Sequence, residues 1–248
     1  MDVQPRVALV TGATGGIGQA ICERLAAAGH AVAVSDLDLH LARSAAKSVD
    51  GLGIGLDVTD PVMVGAAVEQ AREWRGDPTI LVNCAGFDDL RPFHETDEDL
   101  QRRILEVNLG GLLRVTRQFL PAMLAARWGR IVNISSEAGR LGGPLEVIYS
   151  ASKAGIIGAT KALAREYATA GITVNCVSPG PTDTPLLLRV TESGDDAEAA
   201  MRRITKAIPM RRIGTADDVA AAVEYFCGDS ASYVTGQTLS VSGGLSMV

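Results

Sequence analysis

An open, parallel α/β sheet covered by helices on both faces is the fold class predicted by this sequence, and three observations carry it. Short apolar runs alternate with longer segments of helical periodicity along most of the chain, the pattern of strands joined by crossover helices. Several of the runs are apolar throughout, as strands buried on both faces require. With 47% hydrophobic but only 4% aromatic residues, and 27 glycines, the composition suits helices packed closely on a sheet better than an all-β sandwich. A length of 248 residues without linker, repeat or low-complexity tract fits one domain, residues 1–248.

In chain order, Val7–Thr11 reads as the first strand and Gly16–Ala28 as the helix after it, closed by Gly29 as its C-terminal cap. Ala31–Ser35 is the second strand, His40–Val49 a helix, Gly53–Asp57 the third strand and Pro61–Trp74 a helix. Ile80–Asn83 follows as a strand, then one long helix over Leu100–Ala126, the strand Ile131–Ser135, the helix Tyr149–Ala170 and the strand Thr173–Ser178. From Pro181 to Ile213 the pattern is polar and broken by Pro185, Gly194 and Pro209, which suggests one or two short helices forming a lid over a site. The helix Asp217–Cys227 and the strand Thr238–Val241 complete a sheet of about seven strands.

The formal net charge of −6, with no run of like charges, provides no basic face for nucleic acid. Cys22, Cys84, Cys176 and Cys227 are scattered without a CxxC pair and read as reduced, buried side chains. His30, His40 and His94 lack metal-ligand spacing, so no metal is expected. No apolar stretch reaches the ~20 residues that span a bilayer, and the first residues lack a signal-peptide layout. A cytoplasmic protein with no membrane partner is expected.

The segment Thr11-Gly12-Ala13-Thr14-Gly15-Gly16-Ile17-Gly18 joins a strand to a helix. Glycines there permit a tight turn and let backbone N–H groups approach a pyrophosphate, while the helix N-terminus attracts negative charge. Gly12, Thr14, Gly15, Gly16, Ile17 and Gly18 are therefore candidate dinucleotide contacts, and the fold is read as a Rossmann fold. Asp36 ends the second strand, 18 positions after Gly18, where a carboxylate accepts from an adenosine ribose and repels a 2′-phosphate. With Leu37 beside it and no Arg or Lys adjacent, the expected cofactor is NAD. Asp57 and Val58 stand at the equivalent edge of the third strand, where a plain strand-end turn is an equal reading.

These residues, with Asn83-Cys84-Ala85-Gly86, Asn108, Ile134-Ser135-Ser136, Tyr149-Ser150-Ala151-Ser152-Lys153 and Ser178-Pro179-Gly180-Pro181-Thr182-Asp183-Thr184, resemble the short-chain dehydrogenase/reductase family over essentially the whole chain. Cys84 and Thr182 depart from the family pattern, at positions that read as packing or backbone contacts. The resemblance implies further cofactor contacts at Asn83, Ala85, Gly86, Tyr149, Lys153, Pro179, Gly180, Thr182 and Thr184. It also implies a catalytic set of Asn108, Ser136, Tyr149 and Lys153, with Asn108 holding a water that links Lys153 to solvent.

The chemistry is consistent with that set. Tyr149 and Lys153 are i and i+4 on one helix face. A nearby ammonium is expected to lower the phenol from its ordinary pKa of about 10. Tyr149 would then exchange a proton with the reacting oxygen while Ser136 steadies that oxygen; alternation along the strand turns Ser135 to the other face. The expected enzyme is an NAD-dependent oxidoreductase interconverting a secondary alcohol and a ketone. The alternative is an NADPH-dependent 3-oxoacyl-thioester reductase, with a non-catalytic dinucleotide sensor behind it.

The substrate is a small molecule whose pocket is drawn from Phe87–Phe93, Glu137–Val147 and the lid. The segment Pro179–Leu187 and the run Gly236–Gly244 look similar to dehydrogenases of alicyclic hydroxyacyl-CoA thioesters, such as 2-hydroxycyclohexanecarboxyl-CoA. Small residues on the two long helices, together with the family resemblance, lead to the expectation of a homotetramer.

Overall fold

The computed structural model describes residues 5–184 and 197–247. Seven strands pair in parallel: β1 (Val7–Thr11), β2 (Ala31–Asp36), β3 (Leu52–Gly55), β4 (Pro78–Asn83), β5 (Gly129–Ile134), β6 (Ile172–Pro179) and β7 (Thr238–Val241). Their spatial order is β3-β2-β1-β4-β5-β6-β7, so the winding reverses at β1. In such sheets the crevice beyond the C-terminal strand ends at the reversal point is where ligands bind.

Nine helices are described. They are α1 (Gly16–Ala27), α2 (Leu39–Ala46), α3 (Pro61–Arg75), α4 (Glu98–Leu105), α5 (Leu112–Ala126), α6 (Ala138–Leu141), α7 (Val147–Tyr167), α8 (Ala197–Ala207) and α9 (Ala216–Cys227). Because side chains alternate along a strand, Ala8 and Val10 face one layer and Val7 and Leu9 the other. The first layer packs against Ile21 and Leu25 of α1 and Val219, Val223 and Phe226 of α9. The second packs against α3, α5 and α7 through Val64, Val115, Phe119 and Ala164. Phe119 is fully buried there, 1% exposed. Phe119→Ala should therefore cost about 3–5 kcal/mol, measured as a shift in the denaturant midpoint at constant m value.

Strand and helix starts follow their local chemistry. Asp38 and Asp60 cap α2 and α3, each side chain accepting from two backbone N–H groups, and Pro61 occupies the first turn of α3, where its missing N–H costs nothing. Thr215 and Asp218 form a capping box on α9. Gly29, with φ +89, ends α1 as expected. The largest departure from expectation lies in the long helix. It is split into α4 and α5 by a π-helical stretch, Glu106–Gly111, which contains Asn108. Periodicity does not register a one-residue widening of a helix turn, and such widenings cluster at functional sites.

The segment expected to form a lid is described only in part. Residues 185–196 lie outside the described residues, and α8 accounts for one helix of that stretch. All four cysteines are free thiols. Among the described residues no helix is long and apolar enough to cross a membrane, and no cluster of His, Cys, Asp and Glu is arranged to hold a metal.

Candidate active site

Two loops meet at the crevice between β1 and β4. Gly12 takes φ +62, and a Cβ there would lie 2.7 Å from the Cα of Ala85, so only glycine lets the loops touch. The Thr11 hydroxyl ties them, accepting from the N–H groups of Cys84 and Ala85 at 3.1 Å each. α1 begins after Gly15 with no side-chain cap, leaving its first-turn N–H groups for an anion. Gly16, Ile17 and Gly18 form that turn.

Asp36 reaches back into this loop. Its Oδ2 accepts from Thr14 N at 3.1 Å and from Thr14 Oγ1 at 2.7 Å. Leu37 is 70% exposed beside it, a flat apolar neighbour rather than a cation. The sequence placed Thr14 on the pyrophosphate, but both its donors are turned on Asp36. Asp57 spends its carboxylate on Thr59, from N and Oγ1, the strand-end turn considered from sequence, and the Val58 carbonyl accepts from Arg114. The Asn83 side chain is likewise committed: Nδ2 donates to Thr116 Oγ1 and Asn133 Oδ1 in a buried ladder that continues to Thr160. Its amide therefore holds β4, β5 and their covering helices together. Past the end of β6, Gly180 donates to the Val241 carbonyl, Thr182 Oγ1 donates to Gly180 O, and Thr184 Oγ1 donates to Thr182 O.

The four residues expected to act on substrate converge beyond β4 and β5. Ser136, just past β5, lies beside the Tyr149 hydroxyl, and its own Oγ accepts from Ala138 N at 3.1 Å. Lys153, one turn along α7, is buried and donates from Nζ to the Ile134 carbonyl at 3.0 Å. Ser135 Oγ, on the opposite face as alternation requires, donates to Lys153 O. Asn108 is fully buried: its Oδ1 accepts from Phe87 N, and its Nδ2 donates to Phe87 O and Ser152 Oγ. Ser152 in turn donates to Tyr149 O. A Cβ on Gly86 would sit 3.0 Å from Asn108 Oδ1 and 3.3 Å from Lys153 Nζ, so a glycine there lets the loop lie directly over both. Ser152 thus joins the candidate site as a positioning residue, and Gly86, expected as a cofactor contact, lies over Asn108 and Lys153. Ser152 carried a readable signal, a hydroxyl three positions after Tyr149 able to bond back along its helix.

The electrostatics differ from the expectation that Lys153 lowers the Tyr149 phenol. Burial pushes Tyr149 above its ordinary value, and the neighbouring Ser136 hydroxyl is what pulls the other way. Lys153 Nζ lies 5.4 Å from the ring centroid and is aimed at Ile134 O. Its own ammonium is held below the usual range by burial. Beside Tyr149 opens a cavity lined by Asp88, Arg91, Phe93, Leu145, Glu146 and Val147 among others. Glu137, expected on this wall, is buried elsewhere, with neither carboxylate oxygen hydrogen-bonded.

Residues 12–246 match a family described as enoyl-(acyl carrier protein) reductase. The 3-oxoacyl-[acyl-carrier-protein] reductase of Salmonella typhimurium is 38% identical, with all of both chains covered. The 2,3-dihydroxy-2,3-dihydro-p-cumate dehydrogenase of Pseudomonas putida is 37% identical over all of this chain and 97% of its own. Among solved structures, a single-substitution variant of actinorhodin polyketide ketoreductase with NADPH superposes with a TM-score of 0.94 at 40% identity, over 97% of each chain.

Proposed function

This chain belongs to the short-chain dehydrogenase/reductase family, oxidoreductases that bind a nicotinamide dinucleotide, and from that premise we propose that it interconverts a ketone and a secondary alcohol with Tyr149 as the proton donor and acceptor. The observation that carries this reading is the convergence of Tyr149 and Ser136 at the end of the crevice, with Lys153 anchored on Ile134 O and Asn108 tied through Ser152 to Tyr149 O. The bound nicotinamide supplies or takes up the hydride. Tyr149 Oη gives its proton to the carbonyl oxygen in reduction and takes it back in oxidation. Ser136 Oγ steadies the same oxygen as charge develops. Lys153 places a positive charge below Tyr149, and Asn108 holds the loop at Phe87 against α7. The crevice fits the dinucleotide through the uncapped N-terminus of α1 and through Asp36.

Two features bear on substrate and direction. Burial keeps the Tyr149 phenol protonated at neutral pH, the form that donates to a carbonyl in the reductive direction. The names of the 3-oxoacyl reductase and polyketide ketoreductase relatives support the narrower reading of 3-oxoacyl-thioester reduction over the NAD-linked alcohol dehydrogenase expected from sequence. The p-cumate relative's name brings cyclic vicinal diols into the same range. On the cofactor, Asp36 argues for NADH against the NADPH of the ketoreductase structure.

One steady-state experiment tests all of this. Acetoacetyl-CoA is offered with NADH and with NADPH, and 2-hydroxycyclohexanecarboxyl-CoA and cyclohexanol with the oxidised cofactors, while absorbance of the reduced nicotinamide is followed. Reduction of acetoacetyl-CoA faster than oxidation of either alcohol supports the thioester reading; turnover of none of them refutes the function. The reading also carries a homotetramer, which light scattering would test.

A further inference from the structure

Asn108 owes its place to an irregular turn. The π-helical stretch Glu106–Gly111 carries it between α4 and α5, and its buried side chain is spent on Phe87 and Ser152. A π turn is the rare, wider alternative to the α turn. The last two residues of the stretch, Gly110 and Gly111, give a helix little intrinsic support. Dropping the extra residue back into α geometry would rotate the stretch by about 100° about its axis, carrying Asn108 off its partners. Tertiary contacts must therefore hold the register. One of them spans the whole stretch. Arg114, the third residue of α5, donates from Nη2 to Glu106 Oε1, at the first position of the stretch, and from Nη1 to the Val58 carbonyl beyond β3 at 2.9 Å. The Glu106 carboxylate folds over Gly110, where a Cβ would lie 2.6 Å from its Oε2. Val58 rests on Gly111, where a Cβ would lie 2.5 Å from Val58 Cγ2. The two glycines thus make room for both partners of Arg114.

A bridge between residues eight apart is not the i,i+4 pair that merely supports a helix. It closes over the widened turn from both ends and fastens that turn to the end of β3. The Arg114 and Glu106 side chains are 24% and 45% exposed, so their pairing is less screened than one on the open surface. From the turn the bonds run inward: Asn108 Nδ2 donates to Ser152 Oγ, and Ser152 donates to Tyr149 O. We propose that Arg114, acting through Glu106 and Val58, is a positioning residue for the reaction, pinning the π register that brings Asn108 to the turn of Tyr149. This rests on the reading of Tyr149 as the acid–base group.

The test uses Arg114→Met, alone and with Asn108→Ala, together with Glu106→Ala, Glu106→Gln and the control Arg102→Met, which removes an exposed ion pair with Asp99. With acetoacetyl-CoA and the faster reduced nicotinamide, Arg114→Met and Glu106→Ala should each lower kcat by about 10–10²-fold, the scale of a misplacement transmitted to reacting groups. KM for the ketone should change little. Glu106→Gln, which keeps the oxygen acceptor, should recover part of the loss, and Arg102→Met should leave kcat unchanged. In the Asn108→Ala background Arg114→Met should cost little more, because residues that act through one another are not additive. Equal losses in both backgrounds, or an unchanged kcat in Arg114→Met, overturn the positioning role. Amide hydrogen exchange, which needs no turnover, keeps the two proposals separable. Faster exchange in Arg114→Met confined to the amides of Glu106–Gly111 supports the clamp, and unchanged exchange there overturns it whatever turns over. Should Arg114→Met fail to fold, Glu106→Ala, at the more exposed end of the bridge, takes its place in both measurements. A wild type that reduces no ketone sinks the reaction, while the exchange result still decides the clamp.

Discussion

Tyr149→Phe is expected to lower kcat/KM for ketone reduction by about 10²–10⁴-fold, the usual contribution of a positioned acid–base group, while nucleotide binding and the fold stay near normal. The substitution removes one oxygen and keeps the ring, so the packing of the half-buried side chain on α7 survives. What is lost is the proton that must arrive on the carbonyl oxygen as hydride reaches carbon. Ser136 Oγ, already accepting from Ala138 N, can still donate to that oxygen, which leaves a residual rate. The pH dependence of wild type gives an independent reading of the same group. Burial lifts the Tyr149 pKa, so the donating form dominates at neutral pH and is lost only as pH rises into the alkaline range. Reduction should therefore fall at high pH. Oxidation, which needs the phenolate, should rise over the same interval. Steady-state rates in both directions, with fluorescence titration of the reduced nicotinamide, check both expectations. Retention of most of the activity in Tyr149→Phe would remove Tyr149 from the reaction.

How much of this was legible in the sequence depends on the range of the interaction involved. β1 and β7 fall on the expected residues because an apolar run between turn residues is a local signal. Lys153 was foreseen on the same helix face as Tyr149 because i, i+4 spacing is also local. The direction in which Lys153 points was not. Its ammonium goes to Ile134 O, a main-chain acceptor on another element that no sequence pattern marks. The same holds for Asn83 and Thr14. Their motifs are local signals, yet Thr116, Asn133 and Asp36 reach them only once β4 lies beside β5 and β2 beside β1. The π-helical turn at Asn108 was hidden for a different reason. It costs one residue of register, and the hydrophobic stripe resumes after it. Family motifs thus marked residues that the fold brings together, while tertiary pairing decides which of their atoms are free to meet a ligand.

That distinction matters most at Asp36, where the sequence and the relatives pull apart on cofactor. Both hydrogen bonds from Thr14 land on Oδ2, leaving Oδ1 without a partner among the described residues and able to accept from a ribose hydroxyl. The carboxylate is held rigidly against the glycine loop, so it has little freedom to swing away from a 2′-phosphate. Two like charges about 5 Å apart at an effective dielectric near 20 repel by about 3 kcal/mol. Half-exposure screens this to about 1–2 kcal/mol. Losing a charge-assisted bond to the ribose adds about 1.5–3 kcal/mol on the NADH side. Asp36→Ala should therefore move the ratio of kcat/KM for NADH over NADPH by about 10²-fold towards NADPH, starting from a wild type that prefers NADH. Paired cofactor titrations at one fixed substrate concentration measure it. A wild type that strongly prefers NADPH, as the actinorhodin ketoreductase structure would suggest, overturns the cofactor assignment but not the mechanism. The phosphate would then have to be met by a cation from outside the β2 end, since Ser35 and Leu37, its sequence neighbours there, carry none.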